Sequence, residues 1–206
     1  MKLFTSIGPN PRVVRMFIAE KGIEVPLEHM DLMKGENRQE PHLLRNPAGQ
    51  TPTLELDDGS FLTEITAICE YLEEIQPNPP LIGTTPEKRA KTRMWTRRID
   101  INIVEPMTNG FRFSEGLPLF QNRVKCIPQA ADDLKAIAQE RLAWLDGLIA
   151  GRSFVNGDKL SLADILLFCF LEFGASVGQP IETNNKNVAA LIDRIRQRPS
   201  AAVSAP

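Results

Sequence analysis

Apolar and polar positions in the first third of the chain switch repeatedly between strand and helix periods. Lys2 to Thr5 (KLFT) is a short apolar run of strand type, after which Val13, Val14, Phe17 and Ile18 recur at helical spacing. The helix they predict covers residues 11–22. Asn10 stands where an N-cap is expected, Pro11 at the first helical position and Gly22 where the chain leaves the helix. Leu27 to Asp31 reads as a second strand, and a short helix is expected near 37–45. Thr53-Leu54-Glu55-Leu56, the turn Asp57-Asp58-Gly59-Ser60 and Phe61-Leu62 form a hairpin signal. Ile68, Tyr71, Leu72 and Ile75 fall at i, i+3, i+4 and i+7, which predicts a helix from Thr66 to Ile75. The order β-α-β-α-β-β-α makes residues 1–76 an α/β domain.

The pattern then changes. Residues 77–86 carry four prolines, cannot continue a helix and have the composition of a linker. Residues 87–206 read as an all-helical domain. One long helix is expected from Arg89 to Asn109, kinked near its end by Pro106. Another runs from Ala130 to Ala150, with the stripe Leu134, Ile137, Leu142, Leu145 and Leu148. Ser161-Leu162-Ala163-Asp164 opens a third with a capping-box variant, and Val188 to Arg196 forms the last. The small-residue tail from Pro199 is expected to fray.

Charge and composition narrow the function classes. A net charge of −2 presents no basic field to nucleic acid or an anionic membrane. No apolar run has the length of a membrane span, and the N-terminal MKLFTSIGPNP is too broken for a signal peptide. Cys69 and Cys169 lie in apolar helical contexts and read as buried hydrophobes, without any CxxC. His29 and His42 have no neighbouring ligand types, so no metal is expected. The expectation is a cytoplasmic protein with reduced thiols.

The most informative segment is NPAGQTPTLELDDGSFLTEITAICEYL, from Asn46. Pro52 leads a strand without a backbone N–H of its own. A cis Thr51–Pro52 bond would leave the Thr51 backbone free at the strand's start, where an extended peptide can pair with it. The segment resembles the glutathione-binding stretch of the cytosolic glutathione transferases. KLFTSIGPNPRVVRMFIAEKGI, the proline linker and FVNGDKLSLADI resemble the same family, in order and over nearly the whole chain.

The resemblance implies a thioredoxin-like N-terminal domain, an all-helical domain contributing the electrophile site, and a homodimer. Carried to this sequence, it makes Pro52 the family's cis-proline and Thr51 the residue whose backbone pairs with the cysteinyl part of glutathione. Gln50 and Lys34 would reach the glycine carboxylate, and Glu64 the γ-glutamyl ammonium. Ile65 occupies a position usually held by Ser or Thr, leaving its backbone N–H for the γ-glutamyl carboxylate.

The family's usual thiol-activating residue is missing. The only tyrosine is Tyr71, position 4 is Phe, and Gly8 stands where many members have Ser. The register of the Cys-dependent bacterial class puts Asn10 at the catalytic position, and the resemblance also matches it to an Asn of a class that handles glutathione disulfides. Asn10 could cap the helix with its oxygen while its NH₂ points at sulfur; Ser6 is the alternative hydroxyl. Asn109, Arg112 and Ser114 match loosely the region from which a fungal class recruits helical-domain groups, with Arg112 expected at a solvated helix end.

Three functions remain open. The first is transfer of the glutathione thiolate to small apolar electrophiles in detoxification, with Phe111, Phe113 and Phe120 as candidate contacts. The second is a glutathione-dependent disulfide reductase or peroxidase, and the third a glutathione-binding scaffold without turnover.

Overall fold

The computed structural model describes residues 1–205. Backbone contacts group residues 1–84 with the segment from Arg198 onward, and Thr85–Gln197 as a second unit.

The first unit is built on a four-stranded mixed sheet. Strands β1 (Lys2–Thr5), β2 (Leu27–His29), β3 (Thr53–Glu55) and β4 (Phe61–Leu62) lie in the order β2-β1-β3-β4. β1 runs parallel to β2, with Phe4 opposite Glu28, and antiparallel to β3, with Phe4 opposite Thr53. The β3–β4 hairpin expected from the sequence is present, and it pairs Leu54 with Leu62 and Glu55 with Phe61. Helices α1 (Pro9–Lys21), α2 (Glu40–Arg45) and α3 (Ile65–Ile75) complete the α/β domain. Leu3, Phe4 and Leu54 from the sheet, Val13, Val14 and Phe17 from α1, and Ile68 and Leu72 from α3 are fully buried. Each such side chain contributes roughly 1.5–3 kcal/mol of burial.

Helix α1 begins two residues earlier than expected. Gly8, at φ 110°, takes the cap position, and no side chain caps the helix. A residue with Cβ is disfavoured there, and Pro9 next to it is preset to helical φ. Asn10 is therefore inside the first turn and is not the N-cap. The other end follows expectation: Gly22 is left-handed at φ 63°, and Ile23 N–H returns to Ile18 O at 3.2 Å.

The proline-rich stretch is fastened by a buried ion pair. Glu73 on α3 pairs with Lys21 on α1, their side chains 2% and 0% exposed. The Glu73 carboxylate also accepts N–H bonds from Leu81 at 3.1 Å and Ile82 at 2.9 Å, while Lys21 Nζ donates to Pro79 O at 2.7 Å.

The tail does not fray. Pro199–Val203 forms a short helix, α10, against α1. Arg198 donates twice to the Glu20 carboxylate, at 2.6 and 2.7 Å, and Arg15 donates to Ser204 O at 3.0 Å.

The second unit is helical: α4 (Pro86–Ile99), α5 (Glu105–Arg112), α6 (Leu117–Phe120), α7 (Ala131–Leu148), α8 (Leu162–Ser176) and α9 (Lys186–Arg196). The long helix foreseen from Arg89 is interrupted by a π-type turn at Asp100–Val104. Pro106 explains it: the ring cannot donate to residue 102 and would strike that carbonyl in a regular helix. Helix α8 is buried along Leu162–Leu171, so it is the unit's central helix. At its start Asp164 accepts from Ser161 N–H at 2.8 Å, Ser161 Oγ at 2.6 Å and Val155 N–H at 2.7 Å. Among the described residues no helix is long and apolar enough to cross a membrane.

Candidate functional site

The loop before β3 is held by side chains from the preceding segment. Asn37 Nδ2 donates to Gly49 O at 2.6 Å, Asn46 Nδ2 to Gln50 O at 2.9 Å, and His42 Nε2 lies 2.7 Å from the same Gln50 oxygen. A carbonyl can only accept, so His42 carries hydrogen on Nε2. Its ring is buried beside Phe4, with centroids 6.3 Å apart. Asn46 Oδ1 in turn accepts from Ala48 N–H at 3.0 Å. Three buried polar residues thus fix the backbone of residues 48–50 and leave Thr51 at the mouth of β3. The Thr51–Pro52 bond is cis, Pro52 is buried and Thr51 half-exposed.

The end of β1 meets this loop through two hydroxyls. Ser6 Oγ and Thr51 Oγ1 are 2.5 Å apart, and Ser6 Oγ also donates to Ile7 O at 3.1 Å. A serine has one hydroxyl hydrogen. If it goes to Ile7 O, Ser6 accepts from Thr51; if it goes to Thr51, it is again used within the protein. In either arrangement the Ser6 hydrogen already has an acceptor within the protein. Its carbonyl is held by Arg15, which donates from Nη1 to Ser6 O at 2.9 Å and to Thr5 Oγ1 at 2.8 Å.

The first turn of α1 offers few donors. Pro9 and Pro11 have no N–H, and Arg12 N–H is bonded to Gly8 O at 3.3 Å. The half-exposed Asn10 side chain makes no capping bond, and no other partner for it is found among the described residues. Its NH₂ and its backbone N–H are the donors that this turn leaves over.

Glu64 has φ 65° and ψ 121°, the one non-glycine residue with positive φ among those described. Holding an ordinary residue there costs about 1–3 kcal/mol, a strain that clusters at ligand clamps. Glu64 is exposed at the N-terminus of α3, where Ile68 N–H makes the first return bond, to Glu64 O at 3.0 Å. The earlier N–H groups of the turn, starting with Ile65, have no side-chain cap. Lys34 is exposed and paired with Asp31 at 3.4 Å, and Gln50 contributes its carbonyl to the clamp while the residue stays exposed.

Of the expected residues, the structure bonds Ser6 directly to Thr51 and does not join Lys34 to the Gln50 loop. The clamp residues Asn37, His42 and Asn46, and the brace Arg15, were not foreseen. Their only sequence signal is polarity where burial occurs, and a single sequence does not report burial. In the helical unit, Phe111 packs edge-on to Phe120 and Phe173, at 6.1 and 5.0 Å between centroids. Ser114 Oγ is turned back to Gly110 O at 2.6 Å. Arg112 is not at a solvated helix end; it is half-buried, its guanidinium over the Phe120 ring. Among the described residues no three His, Cys, Asp or Glu side chains converge as metal ligands.

Comparison with known proteins gives a consistent assignment. Residues 3–80 match the description "Glutathione S-transferase, N-terminal domain" and residues 121–199 "Glutathione S-transferase, C-terminal domain". The chain is 32% identical over 203 residues to glutathione S-transferase 2 of Saccharomyces cerevisiae, covering 95% of this chain and 85% of that one. The crystal structure of Gtt2 from S. cerevisiae superimposes with a TM-score of 0.91 at 29% identity, over 99% of this chain and 100% of that one. Human elongation factor 1-gamma is 33% identical over 138 residues, which is 66% of this chain and 29% of that protein. With a thioredoxin-like sheet carrying a cis-proline loop, a helical second unit and these matches along most of its length, the chain belongs to the glutathione S-transferase family.

Proposed function

We propose that the protein transfers the glutathione thiolate to small apolar electrophiles, with the Asn10 amide as the donor that stabilises the thiolate. The observation that carries this reading is the contrast between two side chains: Ser6 spends its hydrogen inside the protein, while Asn10 leaves its NH₂ uncommitted. A thiol with pKa about 8.5 is a few per cent ionised at neutral pH, and lowering it by about two units takes roughly 2.7 kcal/mol. One directed amide donor at the positive end of a helix supplies an interaction of that order.

In this reading the thiol proton passes to solvent and sulfur attacks the electrophilic carbon. For an aryl chloride the C–S bond forms, the C–Cl bond breaks and chloride leaves with the electron pair. The Thr51 backbone pairs with the cysteinyl part of glutathione, Gln50 and Lys34 reach its glycine carboxylate, and Pro52 shapes the loop. Glu64 takes the ammonium, and the free Ile65 N–H the γ-glutamyl carboxylate. The working form is a homodimer acting in the cytoplasm.

Asn10→Asp tests the donor. An acid inside the first turn of a helix is tolerated, so the fold should stand. The variant loses the NH₂ and places a like charge near sulfur, which raises the thiol pKa. Turnover with an aryl chloride should fall at least tenfold, for which about 1.4 kcal/mol suffices. The ultraviolet thiolate absorbance of bound glutathione should titrate at higher pH, with Asn10→Ser intermediate. An unchanged titration in Asn10→Asp removes the assignment.

The likeness to elongation factor 1-gamma favours a second reading, a glutathione-binding module without turnover. Saturable glutathione binding with no conversion of an aryl chloride, a peroxide or a mixed disulfide would select it. Activity confined to the peroxide or disulfide would instead select reductase chemistry.

A further inference from the structure

The C-terminal end of α5 holds an arginine that lacks a carboxylate partner. Arg112 uses one of its five N–H donors, bonding Asn109 Oδ1 from Nη1 at 3.2 Å, while its Nε is buried and meets no acceptor. The nearby acids are engaged or distant. Glu115 accepts from Lys135 at 2.6 Å. Glu105, on the same helix, acts on Arg112 as a charge but forms no ion pair with it.

Burial lowers the Arg112 pKa below the ordinary arginine value, and the fields of Cys126 and Glu105 only partly oppose that. The cation nevertheless persists at neutral pH. The Cys126 S–H lies toward the carbonyls of Arg112 and Val124, 3.7 Å from each. The guanidinium centre is 5.5 Å from the Phe120 ring centroid, and Phe120 belongs to a layer with Phe111 and Phe173. A half-desolvated cation with spare donors thus stands at the rim of three packed aromatic rings.

We propose that Arg112, oriented by Asn109 and Phe120, is an anion-recognition subsite of the helical unit that takes the carboxylate of an aryl acid. The guanidinium fork matches a carboxylate in plane, and the aromatic layer suits the flat apolar body attached to it. The binding itself is a property of this unit; its use in choosing the electrophile rests on the transferase reading.

The test pairs 4-chloro-3-nitrobenzoate with its methyl ester as electrophiles, using the full chain and glutathione. Calorimetry with unreactive 3-nitrobenzoate, in the absence of glutathione, measures binding alone. The parent should favour the acid over the ester by tenfold or more in kcat/KM. Arg112→Gln should bring that ratio to within about twofold of unity and abolish the calorimetric signal, while Arg112→Lys should keep part of both. If Arg112→Gln fails to fold, Arg112→Lys and Asn109→Ala carry the comparison, each with a reduced acid preference.

A parent that treats acid and ester alike and gives no heat with 3-nitrobenzoate overturns the proposal, as does an Arg112→Gln variant with the parent's ratio. Arg112-dependent binding without turnover of either compound supports the subsite and refutes the transferase reading.

Discussion

Replacing Glu73 by Gln should loosen the first unit by several kcal/mol although the two side chains have almost the same shape. Lys21 and Glu73 are buried together, with Lys21 also donating to Pro79 O at 2.7 Å. Removing the carboxylate charge strands the ammonium away from water, which costs about 3–5 kcal/mol. The amide oxygen of Gln can still accept from Ile82, so the further loss is confined to Leu81 N–H, about 1–3 kcal/mol if it finds no other acceptor. Lys21→Met in the Glu73→Gln background removes the stranded cation, and stability should return to within about 2 kcal/mol of the parent.

Both tryptophans, Trp95 and Trp144, belong to the helical unit, so their fluorescence does not report on this pair. Amide hydrogen exchange of α1 and α3 does, and a loss of about 3 kcal/mol speeds exchange through opening more than a hundredfold. Urea titration followed by circular dichroism gives the corresponding shift in midpoint. An exchange increase below about fivefold in Glu73→Gln, or a double variant no more protected than Glu73→Gln alone, would refute the electrostatic account.

Two further outcomes follow from buried polar groups. Burial pushes the Asp164 carboxyl up to about 6 despite its bonds from Ser161 and Val155, so the native state binds this proton more tightly than the unfolded chain. Its contribution therefore declines as pH rises from about 4 to about 6, by roughly 3 kcal/mol, and levels off above. Thermal melts followed by tryptophan fluorescence should lose that slope, relative to the parent, in Asp164→Asn. Asn46→Ala removes the 2.9 Å bond to Gln50 O and the 3.0 Å bond from Ala48 N–H. Glutathione affinity measured by calorimetry should drop about tenfold or more, an effect of about 1.4 kcal/mol, while circular dichroism stays that of the parent.

Much of the architecture was legible in the chain because it is local. Alternation and helical spacing mark many of the elements, Gly22 ends α1 as its left-handed conformation requires, and Asp57-Asp58-Gly59-Ser60 marks the hairpin turn. The stretch that resembles the family's glutathione-binding segment was readable for the same reason: Gln50, Thr51, Pro52, Glu64 and Ile65 sit within one strand-turn-strand-helix stretch. What spacing could not supply is which polar group faces which.

The start of α1 turned on the backbone angle of Gly8, which moved Asn10 from a cap to an uncommitted amide. Ser6 meets a hydroxyl 45 residues away in sequence, a contact that spacing does not announce. Arg15, Lys21 and Glu73 look like surface charges in a sequence, yet each is buried against partners brought from Ser204, just past α10, or from residues 79–83. Periodicity reports which face of an element is apolar, and it is blind to a charge whose desolvation is balanced by a distant partner. That balance exists only once the chain has folded, and it decides how the proline-rich segment is held.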